Sequence, residues 1–144
     1  MKKKLLFSAL SFLNIGLSSC NVLPSNNINS IVTEGLHFEK TVENGINGVK
    51  VIYYDGTSIN VIIPSQYGDY PVFSIGNDAF NGCFYIKEIT IPTSVVYIDS
   101  RAFIGCESLS TVYYTGTEEQ WRTINIDWSG NADLINANIV YNYK

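Results

Sequence analysis

Apolar residues return on two periods along this chain: every second residue within short runs, and about every 23 residues over a longer range. Residues 72–94 laid over residues 95–117 match Val72 with Val95, Ile75 with Ile98, Ala79 with Ala102, Phe80 with Phe103, Gly82 with Gly105 and Cys83 with Cys106, an offset of 23 residues. Ile86-x-x-Ile89-x-Ile91 and Leu109-x-x-Val112-x-Tyr114 hold equivalent places, and Val61-x-Ile63 and Ile139-x-Tyr141 extend the phase in both directions. Alternation marks a strand with one buried face. A repeat of about 20 to 29 residues marks a solenoid, in which each coil buries its apolar side only against its neighbours. The last apolar residues of the four strands stand 28, 23 and 27 residues apart. The pattern therefore predicts a β-rich, right-handed repeat solenoid of four strands and about three turns, with short helical turns. The longer first step is absorbed by a surface turn within residues 65–71, at Gly68 and Pro71. The longer last step predicts a short helix, capped by Thr117 with Gln120 and presenting Trp121 and Ile124 on one face. Ahead of the repeats, Phe38-x-Lys40-x-Val42 and Val49-x-Val51-x-Tyr53 alternate about the turn-rich residues 44–48, which predicts a hairpin covering the first coil.

The motifs VFSIGNDAFNGC and VVYIDSRAFIGC, the IPTSV linker and VYYTGTEEQWRTINI resemble the BspA-like (treponemal-type) subfamily of leucine-rich repeats, from about Gly35 to the last residue. That subfamily's repeat carries an ITIP strand, a V-x-x-I segment and an AF-x-x-C turn. Ser58, where the first strand lacks its leading apolar residue, and Thr115, in place of the proline after the third strand, depart from it. Both lie next to the ends of the array, where repeats are atypical. By fold analogy, the resemblance implies binding of proteins at the cell surface, such as host matrix components or neighbouring cells, with no catalysis. The readings from other classes are a carbohydrate or envelope-polymer binder, and a purely structural envelope protein or remnant of a longer array.

The first residues follow a different pattern: cationic Lys2, Lys3 and Lys4, an apolar run over residues 5–17, then Ser18, Ser19 and Cys20. This reads as an export signal. Leu17, Ser18, Ser19 and Cys20 resemble the lipobox of bacterial lipoproteins, which implies cleavage before Cys20 and a lipid on its thiol, hence a membrane anchor. Residues 1–19 are then the signal peptide, 20–33 a flexible, Asn-rich tether, and 34–144 the repeat domain with its caps.

Charge narrows the partners. The chain has 9 Lys and Arg against 13 Asp and Glu; removal of the three leader lysines leaves 6 against 13, a net of −7. Without a basic patch there is nothing to neutralise phosphates, so nucleic acid is excluded. His37 is the only histidine, there is no nucleophile elbow, and no C-x-x-C spacing supplies zinc ligands. Asp127-x-Ser129-x-Asn131-x-Asp133 imitates half a calcium loop but has Ala132 at the glycine position and Asn138 in place of the closing acid. No catalytic residue, metal, cofactor or small-molecule ligand is expected. Cys83 and Cys106, at one repeat position on adjacent coils, stand about 5 Å apart by strand spacing, within disulfide reach. The resemblance implies instead a buried ladder of reduced thiols.

The candidate binding residues are the outward positions of the four strands. They are Ile59, Asn60 and Ile62, beside Lys87, Glu88 and Thr90, then Ser110, Thr111 and Tyr113, then Ala137, Asn138 and Val140. Ile62, Thr90, Tyr113 and Val140 are expected to align as one column.

Overall fold

The computed structural model describes residues 32–144. The leader, Cys20 and the tether as far as residue 31 lie outside the described residues. The chain opens with a hairpin of β1 (Leu36–Glu43) and β2 (Ile46–Tyr54). Asn44 and Gly45 between them both take positive φ, at 51° and 81°. Left-handed residues in tandem give a two-residue turn the twist that its flanking strands need. There follow β3 (Asn60–Ile62), β4 (Gln66–Tyr67), β5 (Tyr70–Ile75), β6 (Glu88–Ile91), β7 (Tyr97–Ile98), β8 (Thr111–Tyr114), α1 (Glu118–Trp121), β9 (Asn125–Ile126), α2 (Ala132–Asn136) and β10 (Asn138–Val140).

The chain winds between two parallel sheets. One runs β3-β6-β8-β10 and carries the ITIP-type strands; the other runs β2-β5-β7-β9, with β1 antiparallel on its outer edge and β4 paired to β5. The sequence counts three steps between four strands. Because β2 pairs in parallel with β5 rather than serving only as a lid, it forms the first coil together with β3, and the array has four coils. The second sheet was not foreseen, since strands as short as β7 and β9 leave no alternation to read.

Inward residues stack by repeat position. Val51, Ile75 and Ile98 form one ladder, and Val61, Ile89 and Val112 the facing one, all almost fully buried. The Phe80 and Phe103 rings lie parallel, 9° between planes and 5.1 Å between centroids. Each buried side chain of this size contributes about 1.5 to 3 kcal/mol through removal from water. Gly82 and Gly105 beneath them share φ near +75°, and a Cβ on Gly105 would come within 3.3 Å of the Gly82 backbone. The positive φ at both positions, with the close approach at Gly105, favours glycine in the AF-x-x-C turns. Cys83 and Cys106 are buried free thiols. Cys106 donates to the Phe80 carbonyl at 3.2 Å, and burial pushes its thiol up to about 12 and raises that of Cys83.

The expected helix is present with its capping box: Thr117 Oγ1 accepts from Gln120 N, and Gln120 Oε1 accepts from Thr117 N. Trp121 and Ile124 are both buried. Two inward positions of the hairpin are corrected: Val42, beside the turn, stands 71% exposed, and Tyr53 lies outside the core. A bulge after His37 shifts the register, so that His37 pairs with Tyr53 but Phe38 with Val51. A one-residue slip exchanges the faces of a strand; Tyr54 is buried and Tyr53 stands 54% exposed.

The two departures from the repeat pattern are hydrogen-bonding residues. Ser58 Oγ accepts from Asn60 N and donates to Asn60 O, on the unpaired edge of β3, while Thr33 Oγ1 accepts from Ile62 N at 2.7 Å. Outward edge groups that would otherwise invite another strand are thus occupied by hydroxyls. Thr115 Oγ1 accepts from Thr93 N on the neighbouring coil at 3.0 Å. Asn131, fully buried, does the same inside the last coil. Phe80 N donates to the carbonyl of Ala102 one coil on, whereas Phe103 N donates to Asn131 Oδ1 at 2.9 Å. Asn131 Nδ2 in turn donates to the carbonyls of Asp99 and Asp127.

Candidate functional site

The β3-β6-β8-β10 sheet sets its outward residues in three rows. The first, at the corner before the strands, is tied by backbone bonds: Lys87 N donates to Ile59 O, Ser110 N to Lys87 O, and Asn138 N to Ser110 O; Ala137, expected at the outward end of this row, packs partly buried against the core instead. The second aligns Asn60, Glu88, Thr111 and Asn138, and the third aligns Ile62, Thr90, Tyr113 and Val140. Parallel in-register pairing stacks like positions directly, so the expected column is a physical row across four strands. None of the twelve candidate residues is buried; Ile59 and Ile62 are exposed, and Thr90, Tyr113 and Val140 half-exposed.

Two features beside the third row were not foreseen. The residues after β10 turn back, Asn142 N donating to Gly116 O and Tyr143 N to Tyr114 O. This lays the Tyr143 ring on Tyr113, 4.4 Å between centroids and 34° between planes. Tyr143 and Lys144 then face Ile62, Pro64, Thr90 and Pro92 across a groove open to solvent. The prolines were legible as the residues following two of the strands, whereas the returning tail has no periodic signal. Electrostatics on the face centre on Glu88, whose charge, with a smaller contribution from burial, raises the Tyr113 phenol above its ordinary value. The acid lies diagonally across the β6-β8 ladder from the ring, a distance within reach of long side chains.

Elsewhere the surface carries isolated features. His37 Nε2 lies 3.1 Å from Asp55 Oδ1 on the hairpin, and Trp128 projects from the loop before α2, 72% exposed. The Asp127 to Asp133 stretch is organised around Asn131 and its backbone partners. Among the described residues no three ligating side chains converge on a common point, and no helix is long and apolar enough to cross a membrane.

Comparison with solved structures places this architecture among bacterial leucine-rich repeat proteins. A leucine-rich cell surface protein of Faecalibacterium prausnitzii superimposes with a TM-score of 0.57 at 22% identity, over 81% of this chain and 31% of its own. The Treponema pallidum leucine-rich repeat protein gives 0.51 at 23%, over 72% of this chain and 46% of its own. A leucine-rich repeat protein of Bacteroides capillosus gives 0.52 at 21%, over 77% and 96%. This chain thus spans about a third and under half of the first two. No curated protein matches it. The model of the BspA type leucine-rich repeat region matches residues 51–138 in six copies. These are the residues that build the stacked coils, and the chain belongs to the BspA-type leucine-rich repeat family, a protein-interaction repeat fold.

Proposed function

We propose that the chain is an exported surface lipoprotein, anchored through Cys20, whose repeat domain binds protein partners and mediates adhesion without catalysis. The observation that carries the binding part is the third row: Ile62, Thr90, Tyr113 and Val140 form a continuous mixed apolar strip across every strand of one sheet. A surface apolar strip of this continuity exceeds what solubility calls for. A mixed face of this kind favours a protein partner. A sugar reading would be favoured by an exposed aromatic ring at the centre of the sheet, whereas Tyr113 there is only half-exposed and paired with Tyr143. The cell-surface description of the Faecalibacterium structure and the lipobox support the location. A lipid chain with further acylation gives a stable anchor, at roughly 0.8 kcal/mol per buried methylene.

The test uses the full chain displayed on cells at native density. Ile62→Asp combined with Tyr113→Asp puts two charges in the strip at outward positions, and adhesion to matrix-coated surfaces and neighbouring cells should fall with the fold retained. Cys20→Ala should release the protein from the membrane fraction. Unchanged adhesion of the double variant would move the site off this sheet, to loops such as residues 66–70; a Cys20→Ala protein that stays membrane-bound would remove the anchor.

A further inference from the structure

The two ends of the array are finished differently. At the N-terminal end β1 carries Glu39, Lys40 and Glu43 and has a bulge after His37, while N–H groups on the β3 edge are met by the hydroxyls of Ser58 and Thr33. Charges, bulges and covering groups of this kind keep a further strand from adding to an edge. At the other end β9 and β10 are the terminal strands of the two sheets, and neither carries a charge, a proline or a bulge. Asn125 N donates to Val96 O and Asp127 N to Ile98 O, and Asn138 N donates to Ser110 O. Alternate residues of a strand turn their backbone groups to opposite sides, so Ile126 and Ile139 point their N–H and C=O away from the array. The core is unfinished on the same side. Ile75 and Ile98 are buried but Ile126, next in their ladder, is half-exposed, as is Ile139 after Ile89 and Val112. Trp128, 72% exposed, lines a recess beside β9 with Ile124 and Ile126.

We propose that this end is an interface with a second copy of the chain, joined tail to tail about a two-fold axis, with β10 antiparallel to β10 of the other copy and β9 to its β9. Three observations select a copy of the chain as the occupant. The edge is self-complementary: an antiparallel pair centred on Ile139 exchanges both N–H···O bonds between the two Ile139 residues, a pair centred on Ile126 does the same, and one axis perpendicular to the sheets serves both. Head-to-tail stacking meets the guarded N-terminal end, so association closes at two copies. Charge agrees with that register. The repeat domain carries 6 Lys and Arg against 13 Asp and Glu, so copies repel over most of their surface. Tail to tail, Asn138 faces Val140 of the other copy and Asp127 faces its Asn125, with no like charges opposed. The end face between sheets about 10 Å apart covers roughly 300 Å², and Trp128 adds about 150 Å², short of the ~800 Å² per partner of a stable complex. Pairing is therefore weak in dilute solution and grows where anchored copies are crowded. It joins two candidate faces into one sheet of eight strands, about 34 Å across in place of about 15 Å.

Disulfide trapping reads the register. Asn138 of one copy lies directly opposite Val140 of the other, about 4.5 Å between Cα atoms, whereas the two Asn138 residues, or the two Val140 residues, are diagonal neighbours about 7 to 8 Å apart, beyond disulfide reach. The full chain in detergent, with Cys20→Ala to remove a competing thiol, is prepared as Asn138→Cys and as Val140→Cys with different tags. The two are mixed near the expected Kd, on the order of 10⁻⁴ M, and oxidised. The mixture should give about tenfold more cross-linked dimer, carrying both tags, than either variant alone. Asn138→Lys combined with Val140→Lys sets like charges opposite each other at outward positions and should weaken self-association about tenfold in sedimentation velocity, with the circular dichroism unchanged. Equal cross-linking by the mixture and the single variants, self-association untouched by the lysine pair, or a chain still monomeric on the order of 10⁻³ M would each overturn the proposal. Such a failure leaves the protein-binding reading to its own test, the loss of adhesion by Ile62→Asp with Tyr113→Asp.

Discussion

Asn131 offers the sharpest test of how the last coil is held. Its side chain replaces a missing backbone rung: Oδ1 accepts from Phe103 N, and Nδ2 donates to Asp99 O and Asp127 O. Asn131→Ala strands the Phe103 N–H, whereas the Asp99 carbonyl keeps its bond from Ala102 N and the exposed Asp127 carbonyl rehydrates. Phe103 is 1% exposed, so its N–H regains no water and costs about 2 kcal/mol. The expected loss is about 2 kcal/mol, or about 1.3 M in the urea midpoint at a slope near 1.5 kcal/mol/M. Asn136→Ala, at an exposed position on α2, is the control and should stay within about 0.5 kcal/mol. Asn131→Asp separates hydrogen bonding from packing. It keeps the acceptor for Phe103 but turns a negative oxygen on two carbonyls inside the core, which favours the protonated form and raises its pKa in the fold. A group with a raised folded pKa binds more protons in the folded state. The penalty should therefore be smallest below the unfolded carboxyl's value, about 3.9, and grow as pH rises. A shift under about 0.5 kcal/mol for Asn131→Ala, or a penalty for Asn131→Asp that does not change with pH, would show that the side chain is a bystander.

Phe103→Ala and Phe80→Ala each remove one ring of the buried stack and should cost about 3 to 5 kcal/mol, read as lost thermal or urea stability; equal stability would contradict the repeat alignment. The thiols of Cys83 and Cys106 should both titrate in the denatured, unreduced Cys20→Ala chain, and neither should react in the native chain between about pH 7 and 9, because the thiolate is the nucleophile and burial raises both groups, Cys106 to about 12. Adhesion should rise steeply with surface density, since a face this small binds weakly and tethered copies raise the effective concentration; a linear dependence would argue for tight single-site binding.

The first sheet was legible because its coils obey two periods together. Each of β3, β6, β8 and β10 alternates, and each recurs at a spacing that only a stacked array satisfies. The second sheet was hidden for the opposite reason. β7 and β9 pair through two residues each, too few to show a period, and their place is set by the coils they join. The bulge at His37 was hidden as well. It leaves no composition signal, yet it decides which of Tyr53 and Tyr54 enters the core.

Register explains why the rows of the candidate face could be named from sequence while the groove could not. In a parallel array the partner of an outward residue is the residue at the same repeat position, so aligning the repeats already aligns Ile62 with Thr90, Tyr113 and Val140. A groove, however, needs a wall, and here the wall is non-repetitive chain. Tyr143 is brought over Tyr113 by two backbone bonds to the preceding coil, at Gly116 and Tyr114. The same division holds at the array's edges. Ser58, Thr115 and Asn131 look like lapses in the repeat when judged by hydrophobicity, yet each bonds a backbone N–H: at the β3 edge, between neighbouring coils, and inside the last coil. A repeat pattern records what neighbouring coils bury in common. Where the stacking leaves backbone groups unmet, those groups choose the residue instead, and such positions must be read by hydrogen-bonding capacity.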